Sequence, residues 1–198
     1  MGAMVAQKIA DGTGIVTHVR VRRRSRFSAV VERANGASMP IRPARPEDAA
    51  AVWSILEPVI RAGETYTLDA NMSERDALAY WLGPDKETFV AEEEESIVGT
   101  YYMRPNQAGG GAHVCNCGFM TAAAAAGRGV ARKMCEHALE HSKSRGYRAM
   151  QFNFVVSANE RAVGLWRALG FEVVGCLPQA FNHPRLGYVD ALVMFRAL

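Results

Sequence analysis

The sequence predicts a mixed α/β fold: one largely antiparallel sheet with helices on both faces. Three observations point there. Apolar residues make up 49% and charged residues 22% of 198 positions, which is globular composition with enough length for a real core. Stretches with the helical period alternate with short apolar runs in the order β-α-α-β-β-β-α-β-α-β-β. The glycine-led helix of the chain follows three successive strands in mid-chain, instead of the first strand of a parallel unit.

Residues 39–43 (MPIRP) form a short strand. Arg45-Pro46-Glu47-Asp48 opens a helix, with Pro early and acids in the first turn. Ala49, Val52, Leu56 and Val59 continue it at helical spacing, Ile55 widens the stripe, Pro58 should kink or shorten it, and Gly63 ends it. A second helix starts after Ser73, with Asp76 in a near-match to a capping box, and stops at Gly83-Pro84. Strands follow at 88–91, 97–104 and 113–121, with the acidic run 92–95 as a solvated hairpin turn and 106–111 (NQAGGG) as a flexible one. Then come a helix at 127–145 closed by Gly146, a strand at 148–155, a helix at 159–169 capped by Ser157 or Asn159, and closing strands at 171–177 and 187–195.

Charge divides the chain in two. Residues 1–38 hold seven Lys/Arg against two acids, giving +5, so the rest of the +3 chain sums to −2. The expected organisation is a basic N-terminal extension at 1–38 and one domain at 39–198. The run Arg22-Arg23-Arg24-Ser25-Arg26 reads either as a targeting or nucleic-acid address or, more blandly, as part of a mobile extension or added edge strand carrying the alternating segment 15–21. A near-neutral body argues against nucleic acid as the main partner. No apolar run approaches 18 residues, so no membrane span is expected. Cys115, Cys117, Cys135 and Cys176 lack zinc spacing, and a strand places the C-x-C pair at an awkward distance for a disulfide; free thiols, no metal and a cytoplasmic location are the expectation.

Chemistry concentrates in residues 119–131. Glycines at a helix start leave backbone N–H groups unpaired, and the helix dipole adds positive charge, making an anion site suited to a diphosphate. Gly127-Arg128-Gly129-Val130-Ala131 supplies it, with Arg128 and Arg132 adding formal charge. A Walker A loop fails for want of Gly-Lys-Ser/Thr, and a Rossmann loop for want of a third glycine.

Ala124-Ala125-Ala126-Gly127-Arg128-Gly129 resembles the pyrophosphate loop of the GCN5-related N-acetyltransferases (GNAT), Gln/Arg-x-x-Gly-x-Gly/Ala. Residues 159–172, from Asn159-Glu160-Arg161-Ala162 through Leu165-Trp166 to Gly170-Phe171, resemble the family's second motif. The resemblance covers about 39–198. It implies a splayed parallel strand pair, formed by 113–121 and 148–155, with acetyl-CoA between the strands. Backbone amides at Phe119, Met120 and Thr121 would hold the pantetheine arm and face the thioester oxygen. Gly127, Arg128, Gly129, Val130, Ala131 and Arg132 would hold the diphosphate, and Asn159 would contact the pantetheine arm or thioester. A homodimer is common in the family. Two departures stand out: Trp166 occupies the position of the usual tyrosine acid, and Ala124 that of the polar residue opening the loop.

Gly63-Glu64-Thr65-Tyr66, the segment 99–106 (GTYYMRPN), Cys115-Asn116-Cys117-Gly118-Phe119 and the segment 152–159 (FNFVVSAN) look like the azetidine-2-carboxylate (proline-analogue) N-acetyltransferases and their bacterial relatives. That narrower resemblance implies Asn116 and Asn159 at the reacting centre. Asn153 and the backbone of Phe154 would take a substrate carboxylate, and Thr65 and Tyr66 would also line the substrate site, Tyr66 narrowing the cleft with Phe119 and Phe154. Each residue has a plainer reading. Asn116 could satisfy a buried backbone group, Thr65 and Tyr66 could be loop packing, and His183 before Pro184 a turn residue. Glu64 is the best alternative base on chemistry alone, and Cys115 and Cys117 are poor acyl carriers because direct transfer needs none. The expected activity is acetyl transfer from acetyl-CoA to the amine of a small metabolite or amino acid. The competing readings are a catalytically silent CoA-binding sensor and a protein acetyltransferase.

Overall fold

The computed structural model describes residues 39–198; the expectations for residues 1–38 lie outside the described residues. Strand β1 (Ile41–Pro43) leads through a helical turn to α1 (Ala49–Ala62) and α2 (Glu74–Trp81). Strands β2 (Glu87–Glu93), β3 (Ser96–Pro105) and β4 (Val114–Thr121) follow, then α3 (Val130–Ser144), β5 (Ala149–Val156), α4 (Glu160–Ala168), β6 (Glu172–His183) and β7 (Gly187–Ala197). The strands make one seven-stranded sheet in the order β1-β2-β3-β4-β5-β7-β6. Every neighbouring pair is antiparallel except β4–β5.

The two-residue period of the strands sorts the core into two layers. Val90, Tyr102 and Met120 face α1 and α2, where Val52, Ile55, Leu56, Ile60 and Trp81 are buried. Their neighbours Phe89, Tyr101, Met103 and Cys117 face the other way, against Met134, Ala138, Val163 and Trp166 of α3 and α4. Trp81 adds a buried polar tie, donating its indole N–H to Thr100 Oγ1 at 3.0 Å while that hydroxyl donates to the Phe89 carbonyl.

Besides shifts of a few residues at element ends, such as α3 starting at Val130 and not at Gly127, the structure departs from the sequence expectation at three places. Pro58 sits inside α1 and does not shorten it; the helix runs to Ala62 and stops at Gly63, whose φ is +61°. The buried stripe on both sides of Pro58 outweighs the local cost of a missing N–H. The first turn at Pro46–Asp48 is a tighter 3₁₀ turn, and α1 begins only at Ala49. Asp48 organises that entry: it is buried, and its carboxylate accepts from the Arg45 amide at 2.7 Å and from Arg42 Nη1 and Nη2 at 2.7 and 2.9 Å. Finally, β6 does not end at Leu177. It passes Pro178 through a register irregularity, with Gln179 at φ +51° and its amide held by Asp190 Oδ1 at 2.9 Å, and continues to His183. A proline in a strand needs such a break.

The acidic run does form the β2–β3 turn. Glu93 pairs with Ser96, and the two residues between, Glu94 and Glu95, both have positive φ, the geometry of a two-residue hairpin loop. Among the described residues no helix is long and apolar enough to cross a membrane. No group of three or more His, Cys, Asp or Glu is placed to hold a metal ion among them.

Candidate active site

The parallel pair β4–β5 is in register over only two steps, Val114 with Ala149 and Cys115 with Met150. Beyond that the strands part. Two features shape the fork, one parting the strands and one tying them at the apex. A bulge between Phe152 and Val155 puts Asn153 and Phe154 opposite a single residue of β7, and bulges bend the strand that carries them. Asn116, buried in β4 at the apex, donates through Nδ2 to the Gln151 carbonyl at 2.9 Å, spanning the first gap where backbone pairing has stopped.

The fork exposes backbone donors. On the β3 side, Asn106 N bonds Val114 O and Ala122 N bonds Val98 O, at 2.8 and 2.9 Å. Antiparallel alternation therefore assigns the even-numbered amides of β4 to β3, and the odd-numbered ones, Cys117, Phe119 and Thr121, to the β5 side. Of the three residues expected to hold the pantetheine arm, Phe119 and Thr121 turn their backbone to the fork. Met120 pairs with Thr100 and contributes its side chain. Tyr66 O–H donates to the Phe119 carbonyl at 2.8 Å, fastening the α1–α2 loop over the opening. Burial raises the Tyr66 hydroxyl well above the ordinary phenol value, so it stays protonated.

A cavity of about 420 Å³ occupies the fork. Thr65, Tyr66, Asn116, Asn153, Phe154 and Asn159 all line it, as do Phe119, Met120 and Thr121, so most of the residues singled out from the sequence meet in one place. Their roles are partly engaged already. Asn153 Oδ1 accepts from Gln151 Nε2 at 2.8 Å, and its Nδ2 donates to Asn106 Oδ1 at 2.6 Å. Asn159 caps α4, its Oδ1 accepting from the Ala162 amide at 3.2 Å. Trp166 lines the cavity from the far side, packed on Phe119 and Phe152 at ring separations of 5.3 and 5.0 Å. The sequence reading missed the aromatic wall, Tyr80 and Tyr102, and the cation beside it, Arg104. Tyr102 lies edge-on to Tyr80 and Trp81, and burial pushes its hydroxyl pKa up. Strand alternation from Tyr102 could have placed Arg104 on this face.

The loop ahead of α3 lies outside the cavity lining. Gly127 and Gly129 have φ of +80° and +84°, where a side chain would be strained. The first helical bond of α3 runs from Lys133 N to Gly129 O, so the amides of Val130, Ala131 and Arg132 have no partner within the helix. Val130 anchors this turn by burying its side chain against Gly99, where an added Cβ would come within 2.8 Å. Arg128 is paired with Glu93 of the acidic turn, and Arg132 stands 3.7 Å from Glu136.

A second cavity of about 380 Å³ adjoins the first, sharing Thr65 and Asn159. Glu64 and Arg185 line it and pair at 2.8 Å. His183 also lines it; its Nδ1 accepts from the Arg185 amide at 3.2 Å, which is the turn role. Cys115, Cys117 and Cys135 are buried free thiols and Cys176 an exposed one; burial raises Cys117 well above the usual thiol range and Cys135 to about 12.

The model of the Acetyltransferase (GNAT) family matches residues 53–171. The chain belongs to the GNAT acetyltransferase family. As a GNAT protein it is an acetyl-CoA-dependent N-acetyltransferase. A GCN5-related N-acetyltransferase from Kribbella flavida is similar in structure, with a TM-score of 0.78 and 41% identity over 81% of this chain and 98% of that one. N-acetyltransferase aca1 from Schizosaccharomyces pombe is 26% identical over 151 residues, 68% of this chain and 72% of that protein. The structure of yncA from Salmonella typhimurium, with its cofactor acetyl-CoA, shares the fold at a TM-score of 0.71 and 22% identity, covering 81% and 94% of the two chains.

Proposed function

We propose that this GNAT enzyme acetylates the amine of a small metabolite or amino acid, with proline analogues such as azetidine-2-carboxylate in its acceptor range. The observation that carries this reading is the size and wall of the fork cavity. About 420 Å³ bounded by Tyr66, Tyr80, Tyr102, Phe119 and Phe154 suits a small ligand and crowds a polypeptide. The motifs shared with the azetidine-2-carboxylate acetyltransferases support the narrower range.

Acetyl-CoA enters as the acetyl donor. The unpaired amides of Val130, Ala131 and Arg132, behind the Gly127 and Gly129 turn, fit its diphosphate, and the fork-facing backbone of Phe119 and Thr121 fits the pantetheine arm. A neutral amine attacks the thioester carbon, a C–N bond forms, the C–S bond breaks and CoA leaves as the thiolate. The amine's extra proton passes to water. A backbone N–H aimed at the developing oxyanion lowers the barrier; losing one such donor costs about 10²–10³ in rate. Asn116 holds the fork with Nδ2 and presents Oδ1 to the incoming amine, an orienting role, since an amide is no base. Asn159 faces the acetyl end, and Asn153 with the Phe154 backbone meets an acceptor carboxylate. Residues 39–198 form the catalytic domain.

The test is detection of CoA release with a thiol reagent, using acetyl-CoA with L-azetidine-2-carboxylate, other amino acids, primary amines and a basic peptide as acceptors. Turnover with the small acceptors and not the peptide supports the reading. Turnover with the peptide alone, or silence across the panel despite acetyl-CoA binding, overturns it.

A further inference from the structure

We propose that Arg104 reads an anionic group on the acceptor, so that carboxylated amines, amino acids above all, are preferred over uncharged amines of the same shape. This rests on reading the fork cavity as the acceptor site. Arg104 is the one charged side chain among the described residues that line it. It is 37% exposed, enough to meet a ligand. Its nearest carboxylate, Asp85, is 3.5 Å away and already committed at 2.8 and 3.0 Å to Lys86. Lys86 is itself almost fully covered, with its ammonium 4.9 Å from the Tyr80 ring and 5.7 Å from that of Tyr102. Two cations and one carboxylate therefore leave a net +1 at this end of the cavity.

The location fits an amino acid. Arg104 of β3 pairs directly with Asn116 of β4, a hydrogen-bonded pair by the alternation above, whose Cα atoms lie about 5.5 Å apart in such sheets. A carboxylate held at Arg104 thus brings an α-amine to the fork apex, one short side chain away. Asn106, two residues on from Arg104, accepts from Asn153, so the amides expected to meet a carboxylate sit at the same end. A guanidinium engages a carboxylate through two parallel N–H···O bonds, which adds orientation to attraction. The same field disfavours acceptors with a second ammonium group.

The test uses matched pairs, azetidine-2-carboxylate with azetidine and proline with pyrrolidine, titrated calorimetrically into the full chain loaded with CoA, and assayed for turnover with acetyl-CoA. The proteins are wild type, Arg104→Gln and Arg104→Lys, each checked by melting temperature. The expected result is about 10–100-fold tighter binding of the carboxylated member to wild type, a ratio that collapses in Arg104→Gln and partly returns in Arg104→Lys. Equal binding of the paired compounds, a ratio that survives Arg104→Gln, or no binding of any carboxylated member overturns the proposal. The two readings fail separately: turnover of amines without dependence on Arg104 keeps the small-amine acetyltransferase and removes this inference. Arg104-dependent binding without turnover does the reverse.

Discussion

Asn116 Nδ2 lies 2.9 Å from the carbonyl oxygen of Gln151, bridging β4 and β5 one residue beyond their last backbone pairing. The side chain replaces the ladder where the ladder ends. It keeps the strands close enough to fold together, yet apart enough to admit a ligand. Asn116→Ala leaves the Gln151 carbonyl without its partner and should destabilise the protein by about 1–3 kcal/mol. Turnover should fall more than acetyl-CoA affinity. Urea melts and steady-state kinetics on the same preparations check both effects; a fall in turnover with unchanged stability would assign Asn116 to the acceptor alone.

Gly118 sits against the aromatic wall of the fork cavity. A Cβ built there would lie 2.6 Å from the Tyr102 ring, and that ring is already edge-on to Tyr80 and Trp81. Gly118→Ala should push the ring into the cavity, cost about 1–3 kcal/mol from overpacking, and raise the KM of the acceptor more than that of acetyl-CoA. Acceptor and donor saturation curves distinguish the two.

Asp48 makes part of the fold's stability dependent on pH. Its hydrogen bonds from Arg42 hold the carboxyl below its ordinary value, against the opposing effect of burial. The unfolded carboxyl titrates near about 3.9. A depressed folded value means the stabilisation is complete above the unfolded pKa and is lost as pH falls through the folded one. Asp48→Asn should cost about 2 kcal/mol at neutral pH. The gap from wild type should be flat above about pH 5 and close in acid, as denaturant melts across pH would show.

The fork cavity is lined by no carboxylate and no imidazole among the described residues. The acceptor must therefore arrive, or become, neutral by its own acidity. At fixed acetyl-CoA, kcat/KM for the acceptor should rise with pH, about tenfold per unit below the amine pKa, then level. The inflexion should move with the acceptor chosen. An inflexion that stays put for amines of different basicity would instead point to a protein base, and Glu64 or His183 in the adjoining cavity would be the ones to mutate.

Much of this was legible locally. Helical spacing, the caps at Ser73 and Asn159, and the glycines at 127, 129 and 146 mark the elements, because each acts within a few residues of itself. What escaped is long-range. Pro58 and Pro178 look like stops, yet the helix persists on its buried face and the strand persists on a carboxylate eleven residues away. The bulge at Asn153 and Phe154, the Asn116–Gln151 bridge and the commitment of Arg128 to Glu93 depend on which strands become neighbours. Arg104 escaped for a related reason: only the third dimension shows Asp85 held by Lys86 and the guanidinium left facing the cavity.

Acetyl transfer in the β4–β5 fork can be seen in a crystal structure with a non-hydrolysable acetyl-CoA analogue. The diphosphate should lie on the amides of Val130, Ala131 and Arg132, with the pantetheine arm threading between the two strands. The carbonyl oxygen of the analogue should lie within hydrogen-bond distance of a β4 amide at Phe119 or Thr121, with its carbon open to the Asn116 side of the cavity. An analogue bound with its acyl group outside the fork, or with both strands turned away from it, would show that the fork is not where acetyl is transferred.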